Sequence, residues 1–313
     1  MKVRHFGILN IIITLIFLLS IYLASKYYNS HVNLGTTKFY KYDLMKEKSI
    51  SIANLGSSHG FYGIKYENDI GINLAKDSQD TYYDLQLLKK YSLKLRDNSI
   101  IIIPISIFTF YSVDNSEINK NYIQILKLED IKNIKLNEYI MGKYFSVVYP
   151  PQRILETIKF IKNNGIKKKI YYTQREDLDR DKLEEESKET VIRHMKKEKD
   201  KEGRVIKKAE KELYSLVDYI EKNNWTPIFI TTPFSYLYNQ GIESIDPNAY
   251  KERIYDNIEM IRKKYNKNFI YLDYSHDKRF ENKLEYFFDD DHLNKKGAEY
   301  FTEILLKDIE KVK

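Results

Sequence analysis

A chain of 313 residues and 37.5 kDa is long enough to bury a sizeable core, as one large domain or two small ones. Hydrophobic residues at 42% and charged residues at 31% exclude a disordered chain, and the absence of cysteine excludes disulfide scaffolds, zinc–cysteine modules and thiol catalysis. The net charge of +7 argues against a dedicated nucleic-acid binder, because Lys2, Arg4 and Lys26 lie within an acid-free stretch, 1–30, and leave only a small excess on the rest.

The first predicted element runs from Phe6 to Ala24, FGILNIIITLIFLLSIYLA, without a charge. As a helix it spans roughly 28 Å, close to the hydrocarbon thickness of a bilayer. Lys2, Arg4 and His5 precede it, so the positive-inside rule puts the amino terminus in the cytoplasm and the rest outside. A cleaved signal peptide is the rival reading, but Tyr22 is poor at the −3 position of a cleavage site ending in Ala24. The expectation is a single-pass anchor in the cytoplasmic membrane, residues 1–30, followed by an extracytoplasmic domain, 31–313.

After a short polar link (Ser25–Lys38), strand-like and helix-like segments alternate. Ser49–Leu55 and Gly71–Ala75 read as short strands, and Tyr82–Tyr91 as a helix with Leu85 and Leu88 on one face. Ser99–Ile105 is a continuous apolar run, as expected of a strand covered on both faces. Pro227–Thr231 and Phe269–Leu272 are further buried strands. Amphipathic helices follow from Val205, Ala209, Leu213, Leu216, Val217 and Ile220, and from Ala298, Phe301, Ile304, Leu305 and Ile309. The alternation predicts an α/β fold, a three-layer α/β/α sandwich on a mostly parallel, flavodoxin-like sheet. A segment dense in both charge signs, about 165–211, reads as a solvated helical insertion or as a lid or docking arm.

Two segments carry chemistry. The first strand runs into Gly56-Ser57-Ser58-His59-Gly60, at the carboxyl end of a strand, where open α/β sheets bind ligands. Small residues there turn the backbone sharply, present a hydroxyl and leave N–H groups to face an oxyanion. The plain alternative is a glycine–serine turn. The second segment is Phe287-Phe288-Asp289-Asp290-Asp291-His292-Leu293-Asn294, before the last helix. An Asp-x-x-His pair lets Asp289 orient His292 and stabilise its protonated form, and Asn294 suits an N-cap. Three aspartates and a histidine also offer hard metal ligands, but no second ligand cluster supports that reading, and no cofactor is implied.

Together the two segments resemble the SGNH (GDSL-type) hydrolase superfamily, over roughly Ser49 to Phe301. The stretches that carry the resemblance are NLGSSHGFYGI, INLAKDSQDTYYD, FITTPFSY, LDYSHDKRF and FFDDDHLNKKGAEYF. Within the superfamily the chain is most similar to the membrane-anchored branch that includes the DltD-type D-alanine transfer proteins of teichoic acid modification. The resemblance implies Ser58 as nucleophile, His292 as base and Asp289 as its orienting acid. Gly56, Ser57, His59, Gly71 and Ser106 become oxyanion or substrate contacts. The second-block position falls either to Gly71 or to the backbone near Ser78 and Gln79, and Ser106 stands where the family usually has an asparagine. His276 reads as a turn residue, and His5, His31 and His194 as unsuited to act as a base. The expected function is a serine O-acyltransferase or esterase on a carbohydrate hydroxyl of a cell-surface polysaccharide or teichoic-acid-like polymer, beside a multispanning membrane acyltransferase. The alternative is a catalytically silent accessory subunit of such a system.

Overall fold

A computed structural model describes residues 2–32, 34–67, 70–111, 119–149, 180–196, 209–267 and 269–312, with 153–155, 158 and 162. The chain forms two compact units, Met1–Leu44 with Asn115–Lys168, and Met45–Asp114 with Lys169–Lys313.

In the first unit, the apolar stretch lies in a helix, Lys2–Tyr27. His5–His31 has the length and composition to cross a membrane, with a mean hydropathy of 2.5 over an 18-residue window that is exposed among the described residues. The expected polar link is helical instead, with a π-turn at Tyr28–Val32 and a helix at Leu34–Asp43. Ser25, Asn29 and Thr36 in this stretch are buried and bonded, which favours structure there. Ser25 Oγ accepts from the Val147 N–H, Asn29 donates to Ser146 at 2.6 Å, and Thr36 donates to the Asn29 carbonyl.

The second unit holds a five-stranded parallel sheet, in the spatial order β2-β1-β3-β4-β5. The strands are β1 (Ile50–Asn54), β2 (Gly71–Asn73), β3 (Leu95–Pro104), β4 (Thr226–Thr231) and β5 (Ile270–Asp273). This is the expected α/β fold with the flavodoxin-like order. β3 begins four residues before the apolar run, at Leu95, which pairs with Ile50 across an irregularity in the register.

Strand alternation divides the core. Ile100, Ile102, Ile228 and Ile230 face Ala298, Phe301, Leu305 and Ile309 of the last helix, Lys295–Val312. Ile101, Ile103 and Phe229, equally buried, belong to the other face, where the helices Thr81–Tyr91 and Ala209–Lys222 pack together. In this strand order the direction of winding reverses between β1 and β3, and the crevice at their carboxyl ends is where such sheets bind ligands.

Candidate active site

Both chemistry-bearing segments lie at that end of the sheet. After β1 the chain turns at Gly56, whose φ of +105° is a conformation L side chains rarely adopt. A Cβ there would also stand 3.1 Å from the Pro104 ring at the end of β3. The turn is fastened from below, because the Gly56 N–H donates to Asp84 Oδ1 at 2.7 Å and Gln79 Nε2 donates to the same oxygen at 2.7 Å. Burial raises the Asp84 carboxyl to about 7, against the pull of those two bonds. Ser57 caps a short helix, Ser58–Gly63, in extended conformation.

The second segment is a tight loop closed by a bridge between Phe287 and Leu293. Asp289 Oδ1 accepts from the N–H groups of Asp291 and His292, at 3.2 and 2.8 Å, which builds the turn. Asn294 Oδ1 accepts from the Gly297 N–H at 3.0 Å, the expected cap of the last helix.

The geometry of His292 decides what the site can do. Its Nδ1 lies 2.9 Å from Asp289 Oδ2 and 2.9 Å from Asp291 Oδ1. With Nδ1 donating to carboxylates, the neutral ring keeps its lone pair on Nε2, which is buried and makes no hydrogen bond. Phe288 stacks on the ring at 5.4 Å, and Tyr62 meets it edge-on at 5.0 Å. Burial alone would lower the pKa of His292. The charge of Asp291 and the bonds to Asp289 and Asp291 outweigh it, and hold the pKa well above the ordinary value.

Asp291 is itself shared. Its Oδ2 lies 2.9 Å from His59 Nε2, and His59 Nδ1 lies 2.8 Å from Ser106 Oγ. Burial raises the pKa of Asp291, but the two histidines reverse this and leave it well below the carboxylate range. His59 is shifted down by burial, against Asp291, so it is the neutral partner. Asp290 has the opposite fate. Burial, then the charges of Asp291 and Asp289, push it up to about 8, and its Oδ2 is without a partner.

Asp289 and His292 therefore meet, and Ser58 lies one helical turn before Tyr62, on the helix face that reaches His292. Among the described residues neither Ser57 nor Ser58 hydroxyl makes a hydrogen bond, so the structure does not join a serine to His292. The remaining expected contacts are engaged elsewhere. The Gly56 N–H belongs to Asp84, the Ser106 hydroxyl to His59, and both ring nitrogens of the buried His59 to Ser106 and Asp291. Gly71 pairs with Ile52, two residues short of the carboxyl end of β2, and a Cβ there would stand 2.7 Å from the Tyr66 ring. His276, bonded to Glu281 at 3.0 Å, is the expected turn residue.

His194 departs most from expectation. It ends the helix Arg180–His194 of the charged insertion, yet its Nδ1 bonds to Tyr238 Oη at 2.7 Å and lies 3.7 Å from Asp291 Oδ2. Burial lowers its pKa to about 3. The sequence carries a signal for this placement in Leu183, Ser187, Val191 and His194, which follow helical spacing along one face; the first three are buried. Stretches 165–179 and 197–208 of the insertion lie outside the described residues. His59, Asp291 and His292 are close enough to ligate a common ion, but each imidazole already bonds to Asp291 through the nitrogen nearest it.

No family model matches the chain, and no curated protein matches it in sequence. Among the solved structures similar to the chain are two that it matches over most of their length. One is a presumed acylhydrolase from Bacteroides fragilis, with 12% identity, a TM-score of 0.41, and coverage of 90% of this chain and 97% of the other. The other is a GDSL-like lipase from Bacteroides thetaiotaomicron, with 8% identity, a TM-score of 0.42, and coverage of 90% and 98%. Likeness at this distance carries no argument about activity.

Proposed function

We propose that this chain is a membrane-anchored serine esterase or O-acyltransferase acting on carbohydrate or polyol hydroxyls of a cell-surface polymer. The observation that carries the proposal is His292, clamped at Nδ1 by two carboxylates with Nε2 left unbonded, beside the helix that Ser58 opens. Neutral His292 takes the Ser58 proton at Nε2 while Oγ attacks an acyl carbonyl. The imidazolium returns that proton to the departing alkoxide and leaves an ester on Ser58. A second hydroxyl, deprotonated at the same Nε2, then accepts the acyl group, and the acceptor decides between transfer and hydrolysis.

The test is a fluorophosphonate probe on the full chain in detergent. We expect one labelled peptide, containing Gly56–Lys65. The unbonded serines favour a second reading, a silent accessory subunit of a multispanning membrane acyltransferase; an unlabelled protein would support it.

The polymer substrate requires the second unit to lie outside the cytoplasmic membrane, as Lys2 and Arg4 before the apolar helix support. An alkaline phosphatase reporter fused after Leu44 should be active and a cytoplasmic reporter at the same place inactive. The reverse pattern would sink both the topology and the polymer.

A further inference from the structure

His292 has two candidate acids, and they are not equivalent. Asp289 is one-quarter exposed, at 24%, and its Oδ1 also holds two backbone N–H groups, so its carboxylate serves the turn. Asp291 is 2% exposed, and its two oxygens are divided between imidazoles, Oδ1 to His292 and Oδ2 to His59. A charge interaction is screened less in the buried position, so an equal distance means a stronger hold.

The hydrogen-bond direction can be followed outward. A carboxylate only accepts, so His59 donates through Nε2–H. Neutral His59 then accepts at Nδ1, and Ser106 donates its hydroxyl proton there. Ser106 is placed in turn by its N–H, which donates to Thr109 Oγ1 at 2.8 Å. The ring of His59 is wedged between Phe108 and Phe234, at 5.5 and 5.0 Å. Each member can satisfy its bonds in one sense only, and the members come from the turn after β1, the end of β3 and the last loop.

We propose that Ser106, His59 and Asp291 form a buried relay that positions the imidazole of His292, with Asp291 rather than Asp289 as the acid chiefly holding it. The three are positioning residues. The relay rests on reading His292 as the base only for its kinetic consequence; its effect on the His292 ring is a property of the fold. The charged and titratable groups around that ring are Asp289, Asp290 and Asp291 of its own loop, His59 and Tyr62 of the short helix, and His194 of the insertion helix, with Arg193 and Tyr238 acting on His194 one step further out.

The first measurement is a histidine titration by NMR on the full chain in detergent micelles, assigned with single histidine variants. His292 should titrate above about 6.5, the ordinary value. Asp291→Asn should lower its midpoint by about one unit or more, and by more than Asp289→Asn does. A larger fall in Asp289→Asn, or none in Asp291→Asn, overturns the proposal. This readout needs no turnover, so it stands apart from the failure of a probe to label Ser58.

The second measurement is steady-state hydrolysis of an aryl acetate. The base must be neutral, so activity is lost as pH falls through the raised pKa of His292, and Asp291→Asn should move that acid limb downward. His59→Phe keeps the wedged ring and loses both bonds; kcat should fall about 10- to 100-fold with KM unchanged. His59→Gln, which can still donate to Asp291, should come within about threefold of wild type. Equal losses in the two variants would mean that His59 serves packing alone. Should His59→Phe fail to fold, Ser106→Ala, which breaks only the outer link, should lower kcat about three- to tenfold without moving KM. An unchanged kcat there would count against the relay.

Discussion

Ser58→Ala should lose about three or more orders of magnitude in turnover and take up no fluorophosphonate, while Ser57→Ala keeps at least about a tenth of the wild-type rate. Removing a nucleophile abolishes the covalent route, and the rest of the site cannot replace it. Ser57 stands outside the helix as its N-cap, and its side chain makes no capping bond. Its loss should cost no more than a supporting hydrogen bond, about 0.5–1.5 kcal/mol, or roughly tenfold in rate at most. Ser58 shares a helix face with Tyr62, which packs on His292, and Ser57 does not. Equal damage from both substitutions, with labelling intact in Ser58→Ala, would mean that the reactive serine is Ser57.

The second large effect concerns stability. Arg253 is buried to 1% exposure, and its guanidinium donates to the carbonyls of Ile107, His194 and Met195. It also lies over the Tyr111 ring, 5.0 Å from the centroid. The last two carbonyls belong to the end of the insertion helix, so one side chain fastens that helix to the sheet unit. Arg253→Ala leaves these acceptors without their donor and opens a cavity, for a cost of about 3–5 kcal/mol. Thermal unfolding should begin roughly 10 °C lower, and trypsin should cut first in the lysine-rich insertion. Arg253→Lys should recover little, because an ammonium cannot span the three acceptors as a planar fork does. A melting midpoint within about 2 °C of wild type would show that the insertion helix is held by other contacts.

How much of this was legible depends on the range of the forces involved. The strands of the sheet declare themselves, because Ile100–Ile103 and Ile228–Ile230 are covered on both faces and must be apolar without interruption. The Asp289–His292 pair is legible for the same local reason, since three residues of loop suffice to close it. Asp291 is not, because three consecutive aspartates look alike in sequence. Two of them, Asp290 and Asp291, are buried in the loop closed by Phe287 and Leu293, and only Asp291 of the two meets the rings of His59 and His292. His59 reads in sequence as a substrate contact, because nothing local shows that the helix beginning at Ser58 turns it inward to bond Ser106 and Asp291. His194 was obscured by the lysines and glutamates around it, although its helix carries a narrow buried stripe that ends in the site.

The hydrogen bond between His59 and Asp291 joins residues 232 positions apart. A chain synthesised from its amino terminus therefore presents Ser58 long before the proposed base exists, and the loop that carries Asp291 and His292 is fixed only when the helix Lys295–Val312 lays Phe301, Leu305 and Ile309 against the sheet. Contacts of such separation are late and slow to form. On the proposed function, the Ser58 hydroxyl of a nascent chain thus stays uncocked until the helix that follows His292 has packed.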